Sequence, residues 1–330
     1  MIKVSVIVLA YNSSRFLPAL FESLRKTTYP SFEIIAVDNA SQDDSASIVQ
    51  SWKDKLPLTF IQSGSNLGFS GGVNIGIAQA QGDYLVLLNP DVILLPDWLD
   101  KLLFHAASHS VGIVGGVNMP FEGKELIDFA QVQRIHPRPL KAHMVSGSLF
   151  LFKRELLDRL GPLDHDYFLY WEDTAYCFNA YLLGYDVVWA NDVYYFHYSG
   201  GSTGIRSQKN RSEFKKNTRA KKLNVAYYFY RNELLFYLTS FQWRNVLLNF
   251  PRPFFRALYH LLIKHNPAII AALFAGVVWL FRNRKLVLEK RRKIQSLRTR
   301  SDAEFFLRQR EKDKVAGNLR NYYASLKSEF

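Results

Sequence analysis

Carboxylates, amides and glycines recur at the ends of four apolar segments in the first ninety residues. Residues 4–9 run into Ala10-Tyr11-Asn12, and residues 33–37 into Asp38-Asn39-Ala40-Ser41. Residues 58–61 lead to Asn66-Leu67-Gly68-Phe69-Ser70-Gly71-Gly72, and residues 83–88 run into Asn89-Pro90-Asp91. In an open parallel sheet, ligands bind at the carboxyl ends of the strands. Four such ends in order predict one crevice, and their contents suit a nucleoside diphosphate with a metal ion.

Each residue has a chemical and a plainer reading. Asp91, directly after an apolar strand, can bind Mg²⁺ or Mn²⁺ while the ion grips phosphate oxygens; otherwise it is a helix cap after an Asn-Pro turn. Asp38 can accept from a base N–H or a ribose hydroxyl, or close an Asx-turn. Asn66, Gly68, Gly71, Gly72 and Asn74 form a turn where backbone approaches a ligand closely. They are not the dinucleotide fingerprint, because the G-x-G-x-x-G order on a first βα turn is absent. Glu172-Asp173 opens a helix after Phe168-Leu169-Tyr170-Trp171. Acidic residues suit a first helical turn in any case, but a carboxylate facing a sugar could take a proton from an attacking hydroxyl, with the aromatics as a stacking surface. His197 precedes a Gly/Ser stretch and is either a packed residue or a ligand to metal or diphosphate. Arg206, Lys209 and Arg211 could fold over a diphosphate or remain solvated.

The elements that must position these groups alternate strand and helix through the first hundred residues, with amphipathic spacing at Phe16, Leu17, Leu20, Phe21 and Leu24. Asp43 or Asp44 can cap a second helix, residues 69–80 read as a third, and Pro96 fits the N1 position of a fourth reaching Ser108. This order predicts an α/β fold with a mostly parallel, Rossmann-like sheet flanked by helices. Further strands are expected at 111–118, 144–152, 185–190 and 193–197, with 119–143 a loop-rich insertion. A helix over 171–183 should end at Gly184. Residues 199–204 read as a flexible link, dividing a catalytic domain (1–204) from a helical extension (205–330) broken at Pro251, Pro253 and Pro267.

The 330 residues carry a net charge of +13, unevenly spread. Residues 1–204 hold 14 Lys+Arg against 21 Asp+Glu, net −7, whereas the rest hold 28 against 8, net +20. An acidic enzymatic part and a basic part suited to an anionic surface follow. Residues 268–281 are an unbroken apolar run of 14, short of the roughly 20 needed to span a bilayer. Followed by Arg282, Arg284, Lys285 and residues 290–293, the run suits an in-plane membrane helix, or the buried side of a helical subdomain. The tail has no recognised nucleic-acid motif, and no nucleic acid is expected as a partner. The single cysteine, Cys177, fits a reducing compartment. Lys3 leads straight into the first strand, so no signal peptide is read, and the expected place is the cytoplasm at the inner face of the cell membrane.

Taken together, VSVIVLAYN (4–12), IIAVDNAS (34–41), NLGFSGGVNIGI (66–77), YLVLLNPDV (84–92), VSGSLFLFKRELLDRLGPLD (145–164), YFLYWED (167–173) and HYSGGST (197–203) resemble the family 2 glycosyltransferases of GT-A fold. The likeness is strongest to the branch containing bacterial rhamnosyltransferases of surface-polysaccharide assembly. Tyr230-Arg231-Asn232 resembles an element common after that catalytic domain. The resemblance implies an inverting, metal-dependent transferase using Mg²⁺ or Mn²⁺. Its donor would be a nucleotide-diphosphate sugar, dTDP-rhamnose first and UDP-linked galactofuranose, glucose or N-acetylglucosamine next, and its acceptor a saccharide or lipid-linked glycan. Asp38 with Ala10, Tyr11 and Asn12 would hold base and ribose, with Asn66, Gly68, Gly72, Asn74 and Asn89 completing the nucleotide site. Asp91 and His197 would meet the metal, and Asp173, with Glu172 beside it, would be the base. Ala175 and Asn179 depart from the branch's usual Asp and Arg, which gives some weight to a non-catalytic, nucleotide-sugar-binding membrane adaptor.

Overall fold

The computed structural model describes residues 2–122, 124–198, 214–263 and 266–327. Its strands are β1 (Val4–Ala10), β2 (Phe32–Asp38), β3 (Leu58–Gln62), β4 (Tyr84–Leu88), β5 (Val92–Leu94), β6 (Val111–Pro120), β7 (Leu140–Lys141), β8 (Leu149–Lys153) and β9 (Asp186–His197). They form one sheet in the order β3-β2-β1-β4-β8-β6-β9-β5, with β7 also on β9. Helices α1 (Leu17–Arg25), α2 (Ser45–Ser51), α3 (Gly68–Gln79) and α4 (Trp98–Ala106) follow the early strands. Next come α5 (Phe129–Ile135), α6 (Arg154–Leu160) and α7 (Glu172–Leu182).

The β3-β2-β1-β4 half is parallel, as the alternating strands and helices require. The sheet then turns: β8 runs antiparallel to both β4 and β6, while β6 and β9 are parallel. Both faces of β1 and β2 are apolar because helices cover both. Ile7, Leu9, Ile35 and Val37 face α3 through Val73 and Ile77. Val6, Val8, Ile34 and Ala36 face α1 and α4 through Leu20, Phe21 and Trp98.

Several boundaries differ from the sequence expectations. The two short strands expected after Gly184 are one strand, β9, whose pairing with β6 shifts register between Gly115 and Val117. The stretch 119–143 is ordered by the end of β6, by α5 and by β7. Pro96 lies ahead of the helix rather than at N1, because Asp97 is the cap of α4. The short β5 has too few residues to show a period.

The chain continues through α8 (Phe214–Ser240), α9 (Trp243–Asn249), α10 (Arg252–Leu262), α11 (Ala268–Arg282), α12 (Arg284–Ser296) and α13 (Asp302–Lys327). These helices share a third core with α7, in which Ala175, Phe178 and Tyr181 meet Leu234, Phe236, Phe241 and Phe305. Part of the basic excess is spent on pairing with the acidic half. Asp186, which also binds Lys141 of its own half at 2.7 Å, pairs with Arg300 and Arg308, each at 3.0 Å. Lys290 reaches Asp164 and Asp166 at 2.6 and 2.8 Å.

Candidate active site

The parallel register sets Ala10, Asp38 and Gln62 side by side at the carboxyl rim. Asp38 is 3% exposed. One of its oxygens, Oδ2, accepts from the Ser41 N–H at 3.2 Å, while Oδ1 is buried with no hydrogen-bond partner. A buried acceptor left open at the rim is what a base or ribose donor needs. Beside it Asn12 (φ 48°) and Ala40 (φ 61°) adopt left-handed backbone, and Asn12 Oδ1 accepts from the Gln42 N–H at 2.8 Å. Strained turns of this kind gather at ligand sites.

The glycine turn opening α3 is locked rather than loose. Asn39 Nδ2 donates to Asn66 Oδ1 and to the Gly68 carbonyl at 3.1 and 3.0 Å, and its Oδ1 accepts from the Leu67 N–H at 3.0 Å. Asn66 is therefore occupied with holding the turn. A Cβ at Gly72 would meet Leu9 at 2.5 Å, so this glycine lets α3 lie against β1. Asn74 does not join the rim: its amide both donates to and accepts from the Leu163 backbone, at 2.7 and 3.0 Å.

Asp91 follows β4 and is 2% exposed. His197 Nε2 lies 3.1 Å from its Oδ1, and His197 Nδ1 lies 3.2 Å from Asn118 Nδ2. The antiparallel β5–β9 pair sets this distance by placing His197 opposite Val92, the residue after Asp91. Two neighbouring ligands of an octahedral ion with bonds near 2.1 Å stand about 3 Å apart, so Asp91 and His197 fit one edge of a Mg²⁺ or Mn²⁺ shell. Among the described residues no group of three His, Cys, Asp or Glu side chains could hold an ion. The remaining ligands would come from phosphate and water. Arg206, Lys209 and Arg211 lie outside the described residues.

The second carboxylate pair starts α7. Asp173 Oδ2 accepts from the Gly147 N–H at 2.9 Å, and Oδ1 from the Thr174 N–H at 2.6 Å and its hydroxyl at 3.2 Å. The next residue, Ser148, accepts the Asn89 N–H at 3.0 Å and shares its hydroxyl with Tyr195 at 2.8 Å. Adjacent residues of one loop thus touch the Asp173 carboxylate and the segment carrying Asp91. Burial raises the Asp173 carboxyl, opposed by these donors and by the Lys312 ammonium. Glu172 is opposed only by a hydrogen bond from its own backbone N–H. Burial and then the Asp173 charge push it up to about 8, and its Oε2 has no hydrogen-bond partner. Both carboxyls are pushed up by burial, but Asp173 has several donors opposing the rise, so it is the better placed of the two to carry the negative charge.

The loop entering α7 is strained and clamped. Phe168, Tyr170 and Trp171 have φ of 54°, 69° and 71°. Asn232, fully buried on α8, donates through Nδ2 to the carbonyls of Leu169 and Tyr170 at 2.9 and 2.8 Å, and also to that of Tyr167. Arg231 donates to Asn232 Oδ1 at 2.7 Å and to the Asp166 carbonyl. Gly68 (φ 72°) packs so closely on Phe168 that a Cβ would collide with it. Ala175 and Asn179 face the C-terminal helices: Ala175 sits in the shared core and Asn179 accepts from Ser240 at 3.3 Å. Asn39 and the Ser146-Gly147-Ser148 loop fell within the stretches quoted in sequence but were given no role there, and Asn118 and Tyr195 had no distinguishing signal, because pairing partners far along the chain create their roles.

Residues 5–161 match the profile described as Glycosyl transferase family 2. An uncharacterised glycosyltransferase of Haemophilus influenzae is 29% identical over 174 residues, covering 48% of this chain and 55% of that protein. The chain thus spans little more than half of that relative. The poly(ribitol-phosphate) β-N-acetylglucosaminyltransferase TarS of Staphylococcus aureus is 36% identical over 104 residues, 31% of this chain and 17% of TarS. Among solved structures, the mannosyltransferase PcManGT of Pyrobaculum calidifontis, in complex with GDP-Man and Mn²⁺, superposes with a TM-score of 0.56 at 21% identity, over 90% of this chain and 86% of that one. The fold is of the GT-A type.

Proposed function

We propose that this chain, which carries a family 2 glycosyltransferase domain over residues 5–161, transfers a sugar from a nucleotide diphosphate to an acceptor hydroxyl with inversion. The observation that carries this reading is the Gly147-Ser148 bridge, with Asp173 Oδ2 2.9 Å from the Gly147 N–H and the Asn89 N–H 3.0 Å from the Ser148 carbonyl. It supports reading Asp173 and the segment carrying Asp91 as the base and diphosphate sides of one rim.

Asp38 and the Tyr11-Asn12 turn hold base and ribose. Asp91 and His197 would hold a divalent ion, which when bound supplies positive charge to the departing diphosphate. Asp173 accepts the acceptor's hydroxyl proton at its carboxylate. The freed oxygen bonds to the anomeric carbon as the bond from that carbon to the diphosphate oxygen breaks, the electron pair leaving with the diphosphate. The donors from Gly147 and Thr174 favour the charge on Asp173 over Glu172. General base catalysis of this kind contributes about 10²–10⁴-fold.

dTDP-rhamnose heads the donor candidates on the branch resemblance. UDP- and GDP-hexoses follow, since PcManGT is in complex with GDP-Man. The acceptor is a saccharide, free or lipid-linked, of surface-polysaccharide assembly. Membrane contact is assigned to the outer face of α9–α11, where Trp243, Leu247, Leu248, Phe255, Phe274 and Phe281 are 55–74% exposed. Arg244, Arg252, Arg282 and Lys285, on or just after the same helices in sequence, are exposed as well. Such a patch with flanking cations suits an anionic leaflet. Among the described residues no helix is long and apolar enough to cross a membrane. The test is a thermal-shift screen of nucleotide sugars with Mg²⁺ or Mn²⁺, followed by transfer assays with the donor that binds. Absence of a shift from every nucleotide sugar rejects the reading.

A further inference from the structure

Against the first turn of α7 lies a cavity of about 310 Å³, within the range of small-molecule sites. Tyr170 and Trp171 form one wall. Phe229 and Tyr237 of α8 and Phe305 of α13 form others. Two of the lining residues, Trp171 and His143, each carry a ring nitrogen, Nε1 and Nδ1, that is buried with no hydrogen-bond partner. His143 is only 7% exposed, and burial, then the Lys312 charge, lowers its pKa to about 3, so its ring is neutral. Buried polar groups in native proteins are almost always paired. Two orphans in one aromatic cavity call for a ligand that is apolar on its faces and polar at its edge.

We propose that this cavity holds a pyranose ring of the acceptor, with its C–H faces on the aromatic walls and its hydroxyls on Trp171 Nε1 and His143 Nδ1. A prenyl chain would fill the same walls but leave both nitrogens unpaired. The position suits an acceptor, because Thr174 lines the cavity and its hydroxyl lies 3.2 Å from Asp173 Oδ1. The inference rests on the reading of Asp173 as the base.

The test uses the ¹⁵N-labelled full chain, whose six tryptophans give six indole N–H signals. Trp171 is identified by the signal missing from Trp171→Phe. Methyl rhamnoside, glucoside, galactoside and N-acetylglucosaminide are titrated at millimolar concentration, with citronellyl phosphate as the prenyl arm. At least one glycoside should move the Trp171 signal. Gln309→Trp, which fills the cavity from α13, should weaken that binding at least tenfold, and His143→Leu about fivefold, while the nucleotide-sugar thermal shift stays as in the wild type. No glycoside moving the signal, both variants binding like the wild type, or citronellyl phosphate moving it in place of the glycosides would each overturn the proposal. Failure of the glycosyl-transfer reading appears separately, as a wild-type protein that no nucleotide sugar stabilises.

Discussion

Glu172 and Asp173 are neighbours with opposite assignments, and the difference lies in the donors around them. Asp173 has three hydrogen bonds, from Gly147 and Thr174; Glu172 Oε2 has none. Asp173→Asn should lower kcat by about 10²–10⁴-fold while the donor's thermal shift survives. Unchanged turnover would take the role from Asp173. Glu172 predicts a stability effect. Its folded pKa of about 8 stands above the ordinary 4.5, so the folded state holds the proton more tightly. That contribution is complete below about pH 4.5 and is lost as pH rises to about 8. Glu172→Gln should therefore narrow the fall in Tm between pH 5 and 8.5 by several degrees, measured by calorimetry; an equal fall in both proteins would refute it. The residue types at this site were legible in sequence, since Asp38, Asp91, Asp173 and His197 all stand at strand or helix ends. The donors that set Asp173 apart from Glu172 were not, because burial and the Gly147 amide come from distant segments.

The parallel half of the sheet followed from its alternating elements, because each apolar strand is followed by a helix of 3.6-residue period. The antiparallel turn at β8 had no local signal, yet it brings the Ser146-Gly147-Ser148 loop between the two carboxylate groups. The helix α8 acts in the same non-local way. Its Asn232 amide holds carbonyls of a loop with three left-handed residues, and that loop aims α7. Asn232→Ala leaves those carbonyls unpaired and should cost about 1–3 kcal/mol of stability. It should also lower kcat at least tenfold with the donor Kd unchanged. Leu235→Ala, in the same core, serves as the matched destabilised control and should keep kcat. Equal kcat losses in the two variants would reduce Asn232 to a packing residue.

At the scale of the whole chain, the acidic and basic halves were plain in sequence, but the use of the charge was only partly so. Arg300, Arg308 and Lys290 pair with acids of the N-terminal half, while Arg244, Arg252, Arg282 and Lys285 stay exposed on or just after α9–α11. The most apolar run is less exposed than its composition suggests, because Ala272, Leu273, Gly276 and Leu280 of α11 face inward. Flotation with vesicles rich in anionic lipid should recover the wild-type chain. Leu247→Asp, Phe255→Asp and Leu258→Asp together should abolish recovery without changing donor binding; undiminished flotation would move the contact elsewhere. The central claim, that donor and base share one rim, is tested most directly by anomalous diffraction from crystals holding Mn²⁺ and a nucleoside diphosphate. The account predicts a manganese peak beside Asp91 and His197, with the nucleoside against Asp38 and the diphosphate end facing Asp173. A peak or a nucleotide bound away from that rim would contradict it.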